Sequence, residues 1–328
     1  MVSLLRSRAG SKSAVSSRPR TRGLIGVDVG NDSVLIAQLA ANGKDVALVA
    51  GGSRNRPSEL KCGSVDWQRW VIETIRKLTS ESRFRGKEVV ATVPTGEIFI
   101  DHLRVPGSNG EYLSDDKLHS LVQSKINHKL PFAYANAVVK CIRTEENQAV
   151  VIATERKIID RHLAIYEHAN LTIKSICVWP DALINSYVTF FGRRQSDLQT
   201  VVMLIEIDTS CTNVVICRHR GILFARSIAI GTDQLASDEM VTRLVMELTA
   251  SKRHFGSMYK RIGIDRVIFM ASQDSGKGIS AKIAKQLEMP AQMGDCLAAV
   301  KVPDPVNAGI DRRECQFNWT NAFGLSLS

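Results

Sequence analysis

A chain of 328 residues is long enough for two domains, and an apolar content of 44 % is ordinary for a globular protein. Its longest unbroken apolar runs, such as residues 201–205, are far too short to span a bilayer, and no secretory h-region is present. The formal net charge is +10, but six basic residues, Arg6, Arg8, Lys12, Arg18, Arg20 and Arg22, sit in the first 22 positions with no acid among them. The remainder is only mildly basic, so no nucleic-acid surface is demanded. Seven cysteines, an odd number without a CxxC pair, exclude a disulfide framework and fit a reducing cytoplasm. Seven histidines show no metal-ligand spacing; His119 and His128 lie apart on an expected exposed helix.

Residues 1–22 form a Ser/Arg-rich leader with few apolar residues, expected to be disordered. Three readings stand side by side: a solvated tail, a contact with anionic lipid headgroups at roughly 1 kcal/mol per basic residue, and an organellar transit segment. The next stretch, residues 24–36, runs from an apolar segment to an acid, then glycine and small polar residues, then a second apolar segment. That is strand, tight turn, strand. Gly30 has the backbone freedom of a tight turn, and small turn residues leave N–H groups free to converge on an anion. Asp28, at the strand end, can hold a metal-bound water beside a phosphate, with Gly30, Asn31 and Ser33 as phosphate ligands. A plain β-hairpin would read the same way, with Asp28 merely capping it.

Trp67, Trp70, Val71, Ile75 and Leu78 recur at helical spacing. Residues 88–93 are predicted as a strand stopped by Pro94, and 97–105 as another. Ser114 starts a helix whose apolar face is Leu118, Leu121, Val122, Ile126 and Leu130, ended by Pro131 and Phe132. Strands over 138–143 and 149–154, a helix through Ile158, Ile159, Leu163 and Tyr166, and a strand over 173–178 follow. Pro180 opens the next helix, where its missing N–H costs nothing. Residues 201–216 then repeat the grammar of the first hairpin, with Thr209, Ser210 and Thr212 as counterpart phosphate ligands or plain turn residues. In this copy Asp208 stands where a glycine is expected, and its charge would repel a phosphate. A strand over 222–230 leads into Gly231. A helix over 237–255 buries Met240, Val241, Leu244, Val245 and Leu248; Lys252, Arg253 and His254 fall in its expected last turn, which suits the helix dipole. A strand over 266–270 and a helix over 280–287, ended by Pro290, complete an α/β alternation with two related halves around a crevice.

The order of these motifs resembles the PilM family, the actin-like proteins of type IV pilus assembly, related in pattern to the cytoplasmic domain of GspL and to FtsA. The resemblance covers residues 23–328. Gly26-Val27-Asp28-Val29-Gly30-Asn31-Asp32-Ser33-Val34 is similar to the family's first phosphate loop. Val89-Val90-Ala91-Thr92-Val93-Pro94 with Leu103-Arg104-Val105-Pro106, Lys129-Leu130-Pro131-Phe132, and Val150-Val151-Ile152-Ala153-Thr154 are similar to its middle segments. Arg226-Ser227-Ile228-Ala229-Ile230-Gly231, the helix after it, and Phe323-Gly324-Leu325-Ser326-Leu327 are similar to its later ones.

The resemblance implies an α/β, actin-like (ribonuclease H-like) duplicated fold with a small inserted α+β subdomain and a reduced second half. Its units are a leader (1–22), a first half (23–96 with 176–200 and 317–328), an inserted subdomain (97–175) and a second half (201–316). It implies a scaffold beneath the inner membrane that docks the N-terminal peptide of a PilN-like bitopic protein and links it to a motor ATPase. The docking groove involves the inserted subdomain near Phe99, Leu121 and Phe132, three residues that core packing would equally explain. It implies ATP with Mg2+ as cofactor, and no established catalysis. Three departures point to weak or lost nucleotide binding. Leu35 takes the place of a family lysine; Ala271-Ser272-Gln273-Asp274 replaces a Gly-Gly step; and few residues separate Gly231 from the long helix, where the family has a base-holding insertion. The alternatives are an actin-superfamily kinase using Asp28, and a filament-forming actin homologue.

Overall fold

The structure, a computed structural model, describes residues 21–43, 45–106, 114–271, 277–303, 308–310 and 317–328. The expectations for residues 1–20 and for Ser272-Gln273-Asp274 lie outside the described residues; Thr21 and Arg22, expected in the leader, already belong to the first strand. That half comprises β1 (Thr21–Val29), β2 (Ser33–Asn42), β3 (Asp45–Asn55), α1 (Val65–Glu81) and β4 (Glu88–Thr92). Next come β5 (Phe99–Arg104), α2 (Asp115–Ile126), β6 (Ala137–Arg143), β7 (Gln148–Glu155), α3 (Arg156–His168), β8 (Thr172–Cys177) and α4 (Trp179–Phe190). The second half holds β9 (Val201–Ile207), β10 (Thr212–Arg218), β11 (Gly221–Ile228), α5 (Asp238–Met258), β12 (Arg266–Met270), α6 (Lys277–Leu287) and β13 (Ala291–Gly294). A C-terminal helix, Thr320–Ser326, follows.

Two five-stranded sheets share one plan. The first has order β3-β2-β1-β4-β8 and the second β11-β10-β9-β12-β13. In each, three antiparallel strands are followed by two parallel ones. Period-two alternation sorts the side chains by face. Val34 and Ile36 of β2 pack with Trp67, Val71 and Ile75 of α1 and with Ile165 and Tyr166 of α3. Leu35, Ala37 and Leu39 point the other way, into a core shared by both halves through Trp179, Leu183, Tyr187 and Phe323. Val202 and Leu204 of β9 enter that same shared core, while Val201, Met203 and Ile205 pack with Val241, Leu244 and Leu248 of α5. The second sheet thus has all five strands. What is short is its connection to α5, since only a few turn residues separate Gly231 from the helix cap Ser237.

The inserted unit is a three-stranded sheet, β5-β7-β6, whose core joins Leu103, Val122 and Val151. Here the expected span of 97–175 is corrected. β8 pairs in parallel with β4 as the fifth strand of the first sheet, and α3 packs on α1, so both belong to the first half. Local pattern cannot tell which sheet a strand joins. The strand expected over 97–105 starts with a 3-10 turn, Thr95–Glu97, and α2 stops at Ile126, so His128 lies beyond it. Helix α5 runs to Met258, because Phe255 and Tyr259 are buried and their rings pack at 4.8 Å. Its last turn therefore carries no basic residue, and Lys252, Arg253 and His254 sit a turn too early.

Helix starts follow side-chain capping. Ser64 accepts a hydrogen bond from the Trp67 N–H at 3.1 Å, satisfying one of the helix's orphan donors. Ser64→Ala is expected to cost about 1 kcal/mol, read as a lowered urea midpoint at unchanged m-value.

Candidate functional site

The two hairpin turns face each other across a cleft of about 240 Å³. Their equivalence is set by the backbone. The Gly30 N–H donates to the Ser33 carbonyl at 2.9 Å, and the Asp208 N–H to the Cys211 carbonyl at 2.8 Å. Gly30 therefore matches Asp208, and Asp28, two residues before it, matches Glu206. The expected glycine-to-acid exchange in the second turn is a real one, at the position that contacts the cleft.

Four carboxylates, Asp28, Asp32, Glu206 and Asp208, line the cleft, and no lysine, arginine or histidine does among the described residues. Arg56 reaches Asp32 at 3.1 Å, but Arg56 is not part of the cleft wall. Glu206 is 4 % exposed and held by amides: Asn213 at 3.1 Å, Asn318 at 3.2 Å and Asn321 at 3.3 Å, each donating to its carboxylate. Burial pushes Glu206 up to about 8, Asp208 adds to that, and the amides of Asn213 and Asn321 oppose it. Asp28 is pushed up to about 7, first by burial and then by the charge of Asp208, against a hydrogen bond from Asn321.

Of the phosphate ligands expected from the sequence, Gly30, Ser33 and Thr209 line the cleft with Asp28. Asn31 and Ser210 lie outside its wall and face each other, the Asn31 amide donating to Ser210 Oγ at 3.3 Å across the two turns. Thr212 is not at the cleft. It is fully buried and donates its hydroxyl to the Ile230 carbonyl at 2.7 Å, closing the end of β11 onto β10. No group of three His, Cys, Asp or Glu suited to hold a metal ion forms among the described residues, so Asp28 gains no companion ligands there. Asn318 and Asn321 were not legible as site residues, because they arrive from the C-terminal segment more than a hundred positions away.

Gly231 packs on the second turn. A Cβ there would lie 2.1 Å from the Thr209 carbonyl oxygen, so only glycine fits. The N–H groups of Thr232 and Asp233 are spent on the carbonyls of Asp208 (2.9 Å) and Thr209 (3.1 Å). In the inserted unit, Phe99 and Leu121 are half-buried against one core, while Phe132 stands apart from that core in the turn after α2.

Two halves of like topology, facing across a cleft between matched hairpin turns, define an actin-like protein. A family model, type IV pilus assembly protein PilM, matches residues 26–250, and the chain belongs to that family. Its fold is similar to that of the PilM–PilN type IV pilus biogenesis complex, with a TM-score of 0.73 and 17 % identity over 94 % of this chain and 98 % of that one. More distant likenesses are the ethanolamine utilization protein EutJ of Carboxydothermus hydrogenoformans (TM-score 0.49, 12 % identity, 95 % and 92 % covered) and the cytoplasmic domain of EpsL, an inner membrane component of the type II secretion system of Vibrio cholerae (0.48, 10 %, 76 % and 82 %). No curated protein matches the chain by sequence. No helix among the described residues is long and apolar enough to cross a membrane.

Proposed function

We propose that this chain is a non-catalytic docking platform of type IV pilus assembly, or of a related secretion machine, in which the nucleotide site of the actin-like fold has been given up. The observation that carries the reading is the cleft's charge: four carboxylates and no cation, with Asp208 where the matching turn has Gly30. ATP with Mg2+ does not fit these residues. The triphosphate would meet carboxylates at close range. Leu35, buried beside Asp28's strand partner position, supplies no charge-assisted contact of the kind worth about 1.5–3 kcal/mol. At about 240 Å³ the cleft is also smaller than usual ligand pockets.

With the cleft closed to nucleotide, the fold's remaining use is to present surfaces. The PilM–PilN complex supports a PilN-like membrane protein as partner. The inserted sheet, near Phe99, Leu121 and Phe132, is the surface assigned to that partner's N-terminal peptide. The platform then sits at the inner face of the membrane and passes force or register to a motor ATPase.

Calorimetric titration of ATP with Mg2+ into the purified protein is expected to give no heat above dilution, and a micromolar dissociation constant would overturn the loss of the site. In parallel, the cytoplasmic N-terminal peptide of the single-span partner is expected to bind with no change when ATP is added.

A further inference from the structure

The parallel strands β1, β4 and β8 all begin at one end of the first sheet, and the cleft lies at the other. Gly23 and Asp28 are five residues apart on β1, roughly 17 Å of extended chain. At the starting end stand Arg83, Arg85 and Lys87, all exposed and none ion-paired to any described residue. The acids around them are already neutralised. Glu81 meets Lys77 at 3.8 Å, Glu88 meets Lys174 at 2.7 Å, and Asp45 meets Lys301 at 2.9 Å. The three free cations are thus an uncompensated patch.

A buried amide ties this patch to the point where the chain enters β1. Gln38 is 2 % exposed. Its Nε2 donates to the Gly23 carbonyl at 3.2 Å and the Arg85 carbonyl at 2.8 Å, and its Oε1 accepts from the Arg85 N–H at 2.8 Å. The sequence leading into that point carries Arg6, Arg8, Lys12, Arg18 and Arg20, and the first acid of the chain is Asp28. The two sets of cations therefore adjoin on the face turned away from the cleft.

We propose that this end of the molecule is a membrane-binding face for anionic phospholipid, made jointly by the loop bearing Arg83, Arg85 and Lys87 and by the basic segment before β1. The chemistry favours a bilayer over a nucleic acid. Met1, Val2, Leu4 and Leu5 precede Arg6 and Arg8, an apolar–basic mixture suited to the headgroup boundary. No aromatic residue occurs before Trp67, and Phe84 of the loop is half-buried in the core of the first half, so there is no platform for base stacking. The face lies apart from the inserted sheet, which leaves from the opposite end of β4, so lipid contact and peptide docking do not compete for surface.

The test is co-flotation of the full chain with vesicles of phosphatidylethanolamine and phosphatidylglycerol, against vesicles of phosphatidylcholine alone. Binding to the anionic vesicles only, weakened by salt, is expected. One cation near an anionic surface is worth about fivefold in affinity, so Arg83→Gln/Arg85→Gln/Lys87→Gln should lose about a hundredfold. Its side chains are exposed and unpaired, so its melting curve should match the parent. Removing equal charge elsewhere, with Arg243→Gln/Lys252→Gln/Arg253→Gln on α5, should change binding far less. Equal binding to neutral vesicles, equal loss in the two triple variants, or displacement from anionic vesicles by single-stranded RNA at matched phosphate would each overturn the proposal.

Discussion

Gly324→Ala is expected to destabilise the protein by about 3 kcal/mol or more, enough to leave a large unfolded fraction at moderate urea. A Cβ on Gly324 would lie 1.9 Å from the Ala182 carbonyl oxygen and 2.7 Å from its carbon, and a helix backbone cannot yield as a flexible side chain would. The contact is pinned on both sides. Ser186 donates to the Thr320 carbonyl at 2.6 Å and Asn185 to the Gly324 carbonyl at 3.3 Å, locking the C-terminal helix against α4. The same helix presses on β1, where a Cβ on Gly26 would lie 2.1 Å from the Ala322 carbonyl oxygen. The helix therefore cannot slide away from one neighbour without striking the other. Gly256→Ala is the matched control. Gly256 lies in α5 with nothing within 4 Å of its would-be Cβ, so the same chemistry should stabilise by about 0.5–1 kcal/mol. Urea unfolding of both variants checks the pair. A Gly324→Ala protein with the parent's midpoint would mean the C-terminal helix is not wedged as described.

Stability is expected to fall by about 2–4 kcal/mol as pH rises from about 4 to 8, through the cleft carboxylates. Asp28 and Glu206 rise from ordinary values of 3.8 and 4.5 to about 7 and about 8. The folded state holds these protons more tightly than the unfolded chain does. Below pH 4 both states are protonated and the contribution is whole. As pH climbs, the unfolded chain releases its protons first, and the advantage is lost once the folded groups ionise. Glu206 carries most of the effect because it is buried, while half-exposed Asp28 is screened by solvent. Asp208→Asn separates this from unrelated titrations. It removes the charge that raises both groups yet keeps an oxygen for the Thr209 N–H, which Asp208 Oδ1 accepts at 2.8 Å. The variant should gain about 1–2 kcal/mol at pH 8 and nothing at pH 4. Denaturant midpoints at the two pH values decide it, and a parallel pair of curves would refute the coupling.

Much of the architecture was legible in the chain. Alternating apolar residues marked both hairpins, and the helical spacing of Trp67, Val71, Ile75 and Leu78 marked α1, since these patterns state which face each residue buries. The exchange of glycine for Asp208 was legible because the two turns repeat one another. Other features had no local signal. The assignment of β8 to the first sheet rests on pairing with β4, some eighty positions away. Thr212 reads as a phosphate ligand in a turn, but its hydroxyl is claimed by Ile230 from a different strand. Phe132 reads like Phe99 and Leu121, yet only the latter two share a core.

By itself the amino-acid sequence determined the strand and helix periods, the duplication of the hairpin, and membership in the PilM family through the order of its motifs. Each of these is written in neighbouring residues. The tertiary structure alone decided that Asp28, Glu206, Asp208 and Asn321 meet in one cleft, that Gly26 and Gly324 admit no side chain, and that Gln38 joins a basic loop to the root of β1. Such meetings are products of packing between distant segments. Charges and backbones interact through space, and separation along the chain sets no limit on which of them come within reach.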